Sequence, residues 1–423
     1  MLKWKNHTPD GVQDILSNDC IMKKGIEESV TQVFYRFGYL PVESPTLEYY
    51  DVFASQCGAV EQETMFKFFD HQGRILVLRP DLTTPIARMM GTKCDQLPLP
   101  ARLCYVGNAF RNNPPNHGVR LKEITQAGIE LIGQDTPEAD AEIIAVAINA
   151  LLAAGLKEFQ IEIGQVAFFK GLMEQAGLED ALSEELRSHI DAKDALAVEE
   201  LLKETTIEPA LKQLIMDLPA LFGGIEILDR VQPLTQNPSS ISALAHLKAV
   251  YEILLDYGLE KYISVDLGMV QRLNYYTGMI FRGFTYGVGF PICTGGRYDG
   301  LIQVFGEQKA AMGAAIEING LMSALKRQNQ ETVQWHSDSL ISYGEQGRKT
   351  AFLIANELRL SGLVIEMTLS EMTEQQLIAY GEQRKIGGII TVTDAQNIAL
   401  YNLQSGERVQ TTLAKLLGEG VDA

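Results

Sequence analysis

Two runs decide the fold, Gln271-Arg272-Leu273-Asn274-Tyr275-Tyr276 and, shortly after it, Cys293-Thr294-Gly295-Gly296-Arg297-Tyr298-Asp299-Gly300. Strand-like alternation flanks the first run at residues 262–269 and 279–284 and occurs earlier at 157–163. A period of two is the pattern of a half-buried strand. Helical stretches are mixed with these strands rather than alternating strictly with them, so an antiparallel sheet carrying helices, an α+β fold, fits better than a parallel one. Successive strand side chains point to opposite faces, which puts Gln271 and Arg272 on different sides of the sheet.

Working outward, residues 8–14 form a turn-rich opening. Ile21, Met22, Ile26, Val30, Val33, Phe34 and Phe37 then follow at three- and four-residue spacings, which predicts a helix closed by Gly38. Residues 166–234 are acidic and helix-favouring, with Leu201, Leu202, Leu211, Leu214 and Ile215 at helical offsets, and are expected to be a helical insertion. The expected first domain therefore spans residues 1–326. After a polar linker at 327–337, residues 338–423 carry a β-α-β-α-β pattern at 339–343, 347–361, 363–368, 373–385 and 388–392. About 85 residues suffice for an independent domain.

Composition narrows the function classes. A chain of 423 residues, 46% hydrophobic and 21% charged, is ordinary for a globular multidomain protein. Thirty-six Lys and Arg against 54 Asp and Glu give a net charge of −18. That field repels polyanions at long range, and no basic stripe offsets it, which weighs against tRNA. Cys20, Cys57, Cys94, Cys104 and Cys293 include no Cys-x-x-Cys pair, so neither a disulfide framework nor a metal knuckle is expected. No stretch approaches the roughly 20 apolar residues that span a bilayer, and the expected location is cytoplasmic.

The quoted runs resemble bacterial histidyl-tRNA synthetases, in which they read Arg-Gly-Leu-Asp-Tyr-Tyr and Cys-Ala-Gly-Gly-Arg-Tyr-Asp-Gly. The resemblance extends over nearly the whole chain. It implies a class II synthetase-like antiparallel sheet with flanking helices, followed by a small α/β domain like the anticodon-binding domain. Leu78-Arg79-Pro80-Asp81-Leu82-Thr83 resembles a family run whose acid and threonine hold the amino group of histidine, which assigns Asp81 and Thr83 to a ligand ammonium. Phe110-Arg111, the loop to Arg120, Lys122 and Glu123, and then Gln126 to Glu130 resemble the second class II motif. There Arg111 would face the carboxylate and α-phosphate, while Gln126 and Glu130 line the amino-acid pocket. Glu130 and Tyr276 would serve the imidazole, Gln126 and Tyr298 the remaining polar atoms, and Tyr275 belongs to the same pocket run.

The same resemblance exposes departures. Gln271 stands where the family has a catalytic arginine, and Asn319-Gly320 stand where its third motif has Glu-Arg, the arginine that grips the γ-phosphate. Removing one preorganised electrostatic donor typically costs about 10² to 10³ in rate, so two losses imply about 10⁴ or more. A kept amino-acid pocket beside a broken nucleotide site is similar to the synthetase paralogue that serves as regulatory subunit of ATP phosphoribosyltransferase.

Membership of that family implies a chain with no catalytic residues, cofactor or metal of its own. It would activate a short-form catalytic subunit within a hetero-octamer, pass on feedback inhibition by L-histidine, and form a homodimer through the region of Glu43-Ser44-Pro45. The alternatives are an active or moonlighting histidyl-tRNA synthetase and a stand-alone histidine sensor.

Overall fold

The structure is a computed structural model that describes residues 5–54, 62–93, 97–112, 121–270, 276–328 and 336–417. The chain divides into two compact units, Met1–Thr332 and Val333–Ala423.

The first unit is built on a nine-stranded sheet. Its strands lie in the order Leu40–Pro41, Ala101–Phe110, Glu123–Ile132, Ala311–Glu317, Cys293–Arg297, Met279–Thr285, Phe159–Gln165, Ile263–Asp266 and Phe222–Gly223. The six strands from Ala101–Phe110 to Phe159–Gln165 are antiparallel throughout. Among the described residues, parallel pairs of this sheet lie toward its edges, Leu40–Pro41 with Ala101–Phe110 and Phe159–Gln165 with Ile263–Asp266.

Alternation along these strands separates the two faces. Ala127, Ile129 and Leu131 point one way and join Met312, Ala314, Ile316, Phe281, Ile161 and Ile163 in the main core. Helices cover that face, three of them long. Ser17–Arg36 presents Ile26, Val30, Val33 and Phe34, and it ends before Gly38, whose φ of 83° suits a residue without a Cβ. Pro137–Ala153 starts from a Thr136 cap followed by proline, and Pro238–Asp256 from an Asn237 cap followed by proline, the favoured order at a helix start. Pro137–Ala153 is buried along most of its length, from Ala139 to Leu151.

The segment expected as a helical insertion holds the helices Val166–Ala176, Asp180–Asp191, Ala195–Leu202, Pro209–Asp217 and Glu226–Val231. Leu202, Leu211, Leu214 and Ile215 are buried in the same main core, so these helices widen one core rather than forming their own. Among the described residues no helix is long and apolar enough to cross a membrane.

The second unit carries a five-stranded sheet ordered Ile365–Met367, Ser339–Tyr343, Gly388–Val392, Ile398–Asn402 and Arg408–Thr411. The first three strands are parallel and enclose, with the helices Arg348–Leu360 and Glu374–Arg384, the β-α-β-α-β pattern read from the sequence. The last two strands pair antiparallel and were not expected. Arg408–Thr411 is largely exposed and polar, so it carries no apolar alternation to read.

Candidate functional site

The sheet face opposite the main core holds the predicted site residues. Gln126, Gly128 and Glu130 lie on it by alternation, opposite Glu317, Ala315 and Gly313. Gly313 in turn opposes Gly296. A Cβ built on Gly313 would lie 1.8 Å from Glu130 Oε2, and one on Gly296 would lie 2.6 Å from the Tyr276 ring. Glycine at both positions lets the Glu130 carboxyl and the Tyr276 ring lie flat against the backbone. Any other residue would fill the floor of the pocket.

Glu130 is fully buried, and the Tyr298 hydroxyl donates to its Oε2. No donor among the described residues reaches Oε1. Burial pushes the Glu130 carboxyl up to about 8; Tyr298 and Thr83 oppose the rise, while the Asp81 charge adds to it. The tyrosines of the pocket, Tyr105 and Tyr276, are driven upward as well, first by burial and then by the charge of Glu130. At neutral pH the floor therefore holds a largely protonated acid among neutral phenols, with one carboxyl oxygen left for a ligand.

The mouth is built by the chain that enters from the three-stranded sheet Leu47–Tyr49, Ile75–Leu78 and Lys67–Phe69. Arg79, buried, donates to Ser44 O at 2.5 Å and to Asn108 O at 2.8 Å, which fixes the following Pro80-Asp81 against the main sheet. The buried Asp81 accepts from the Thr84 N–H at 2.7 Å and from Thr84 Oγ1 at 3.1 Å, which ties it to the first turn of the helix Thr83–Thr92. Burial nonetheless raises its carboxyl, and Arg111 opposes that rise. Arg111 Nε donates to Pro80 O at 3.3 Å. Glu123 accepts from Asn108 Nδ2 at 2.7 Å, and Asn108 Oδ1 accepts from Thr125 Oγ1 at 2.9 Å. The Lys122 backbone N–H donates to Gly11 O at 2.7 Å, tying the turn-rich opening to this mouth.

The structure thus brings Asp81, Thr83, Arg111, Gln126, Glu130, Tyr276 and Tyr298 to one sheet face and its rim. Arg120, Gln271 and Tyr275, together with Cys57 and Cys94, lie outside the described residues. Asn319 and Gly320 begin the helix Ile318–Arg327. Asn319 Oδ1 accepts from the Thr125 N–H at 2.7 Å, and a Cβ on Gly320 would lie 2.9 Å from the Phe290 ring. A long cationic side chain at residue 320 would first have to displace that ring.

Sequence reasoning missed three features. Tyr105 and Glu317 stand on the pocket face by strand pairing, which only non-local register reveals. Arg297 of the glycine-rich run is structural. It is buried and paired with the buried Asp140, with Asp299 at 3.2 Å and with Gln134 O at 3.1 Å, and Asp140 also meets His246 Nε2 at 2.7 Å. This network clamps the start of Pro137–Ala153 to the strand that ends at Arg297. The described cysteines are free; burial pushes Cys104 up to about 11 and Cys293 up to about 12, which makes both inert thiols.

A family model for histidyl-tRNA synthetase matches residues 11–321. With the antiparallel sheet and its pocket face, this defines a histidyl-tRNA-synthetase-like domain of the class II fold. A relative from Acetivibrio thermocellus, an ATP phosphoribosyltransferase regulatory subunit, is 52% identical over 417 residues, covering 99% of this chain and 100% of its own. One of the same description from Ruminiclostridium cellulolyticum is 44% identical, with 99% of each chain covered. The chain belongs to the family of ATP phosphoribosyltransferase regulatory subunits. A structure from Bacillus halodurans, described as an ATP phosphoribosyltransferase regulatory subunit/histidyl-tRNA synthetase, is 32% identical with a TM-score of 0.83 over 92% of this chain and 98% of that one. A histidyl-tRNA synthetase from Nostoc, 21% identical over 98% of both chains, shares the fold at a TM-score of 0.84.

Proposed function

We propose that this chain is a non-catalytic subunit that binds and activates a short-form ATP phosphoribosyltransferase catalytic subunit and transmits feedback inhibition by histidine held in the Glu130 pocket. The observation that carries this reading is the contrast between the two ends of one site. The floor keeps a glycine cradle, a buried acid with a free oxygen and a ring of tyrosines. The end where a synthetase needs a phosphate-gripping arginine holds Gly320 packed under Phe290.

Histidine offers an imidazole, an ammonium and a carboxylate. Glu130 and Tyr276 suit the first, Asp81 and Thr83 the second, and Arg111 the third, with Gln126 and Tyr298 completing the walls. Charge-assisted hydrogen bonds contribute roughly 1.5 to 3 kcal/mol each, so several of them support a micromolar ligand. For histidine to act as an effector it must bind the two states of the assembly unequally.

Curated relatives of the regulatory description align over 99% of the chain, the C-terminal unit included. Possession of that unit is therefore no argument for aminoacylation. A net charge of −18 and a helix Glu374–Arg384 without lysine also weigh against tRNA. A homodimer within a hetero-octamer, in the cytoplasm, is the expected assembly.

The test is to mix the chain with a short-form catalytic subunit and follow phosphoribosyl-ATP formation. Stimulation that added histidine reverses supports the proposal. Absence of stimulation by a matched partner, or histidine-dependent ATP–pyrophosphate exchange at synthetase rates, would sink it.

A further inference from the structure

Glu317 is a half-buried acid that the histidine pocket does not use. It is the cap residue of the helix Ile318–Arg327, with the extended backbone of a cap (φ −83°, ψ 103°), yet its side chain accepts from none of that helix's N–H groups. An acid at this position ordinarily satisfies the helix start and is held ionised there. Here the carboxyl turns away from the helix, on the pocket face opposite Gln126, and its Oε1 is buried without a hydrogen-bond partner. Burial pushes the carboxyl up to about 7, and Arg111 is the charge that opposes the rise. Asp81 feels the same guanidinium.

From this geometry we infer that Glu317 is the specificity-determining residue at the Arg111 end of the pocket, a carboxyl whose ionised form repels phosphate-bearing ligands. The charge of one guanidinium already offsets the burial of two acids. A ligand carboxylate adds a single charge, which protonation of Glu317 can offset. A phosphate chain adds several charges beside Glu317 and Asp81, and in a site of reduced dielectric that repulsion is not screened away. The inference rests on the pocket reading above but has a separate readout, because it concerns what the site refuses.

The experiment is calorimetric titration of the full chain with ATP and, separately, with histidine, for the wild type, Glu317→Gln and Glu317→Gly. The glutamine keeps the shape and removes the charge, while glycine removes both. The expected result is negligible ATP binding by the wild type and binding tightened by about tenfold or more in both variants. Unchanged ATP binding in both variants overturns the inference. Tightening in Glu317→Gly alone overturns the charge account, since bulk would then do the excluding. ATP binding by the wild type at the affinity of histidine overturns it as well. Loss of histidine binding by the wild type would count against the pocket reading and leave the ATP comparison intact.

Discussion

Glu130 makes stability depend on pH in a way that a single substitution removes. The unfolded carboxyl ionises near 4.5 and the folded one at about 8. Between those values the folded state holds a proton that the unfolded state has released, so stability falls as pH rises through the interval and levels off above the folded value. At about 1.4 kcal/mol per unit, the full penalty is about 5 kcal/mol, of which about 2 is already present at pH 6. The wild type should therefore lose about 3 kcal/mol from this group between about pH 6 and about pH 9. Glu130→Gln has no proton to release, and its amide oxygen can still accept from the Tyr298 hydroxyl. Urea denaturation followed by circular dichroism at the two pH values measures the difference. The variant should show a decline smaller by about 3 kcal/mol, and it should lose histidine binding. Equal declines in the two proteins would refute the reasoning, because Glu130 would then not be a buried proton carrier.

Three further outcomes follow from particular contacts. Asp140→Ala leaves the buried Arg297 short of its principal partner, and urea denaturation should register a loss of about 3 to 5 kcal/mol. Asn319→Ala strands the Thr125 N–H and should cost about 1 to 3 kcal/mol by the same measurement, without touching the floor of the pocket. Gly313→Ala puts a methyl where the Glu130 carboxyl lies, so histidine affinity measured by calorimetry should fall by about tenfold or more.

The outline of the first unit was legible because the alternating strands and the helix of Ile26, Val30, Val33 and Phe34 are local patterns. The C-terminal hairpin was not, since Arg408–Thr411 shows no apolar alternation. Within the site, Glu130, Tyr298 and Asp81 could be read from motifs. Their roles could not. Nothing local says that Asp81 would also accept from Thr84, or that Arg297 would be consumed by Asp140, far away in the chain.

The class of fold, the order of the pocket motifs and the loss of the motif residues at Asn319 and Gly320 are all legible in the chain as written. These are properties of short runs, readable wherever period and composition are intact. Tertiary packing alone makes Gly313 and Gly296 a floor for Glu130 and Tyr276, puts Phe290 over Gly320, and leaves Glu317 on the pocket face opposite Gln126 instead of capping its helix. Those facts depend on strand register and on burial, and burial sets the protonation of an acid through neighbours distant in the chain.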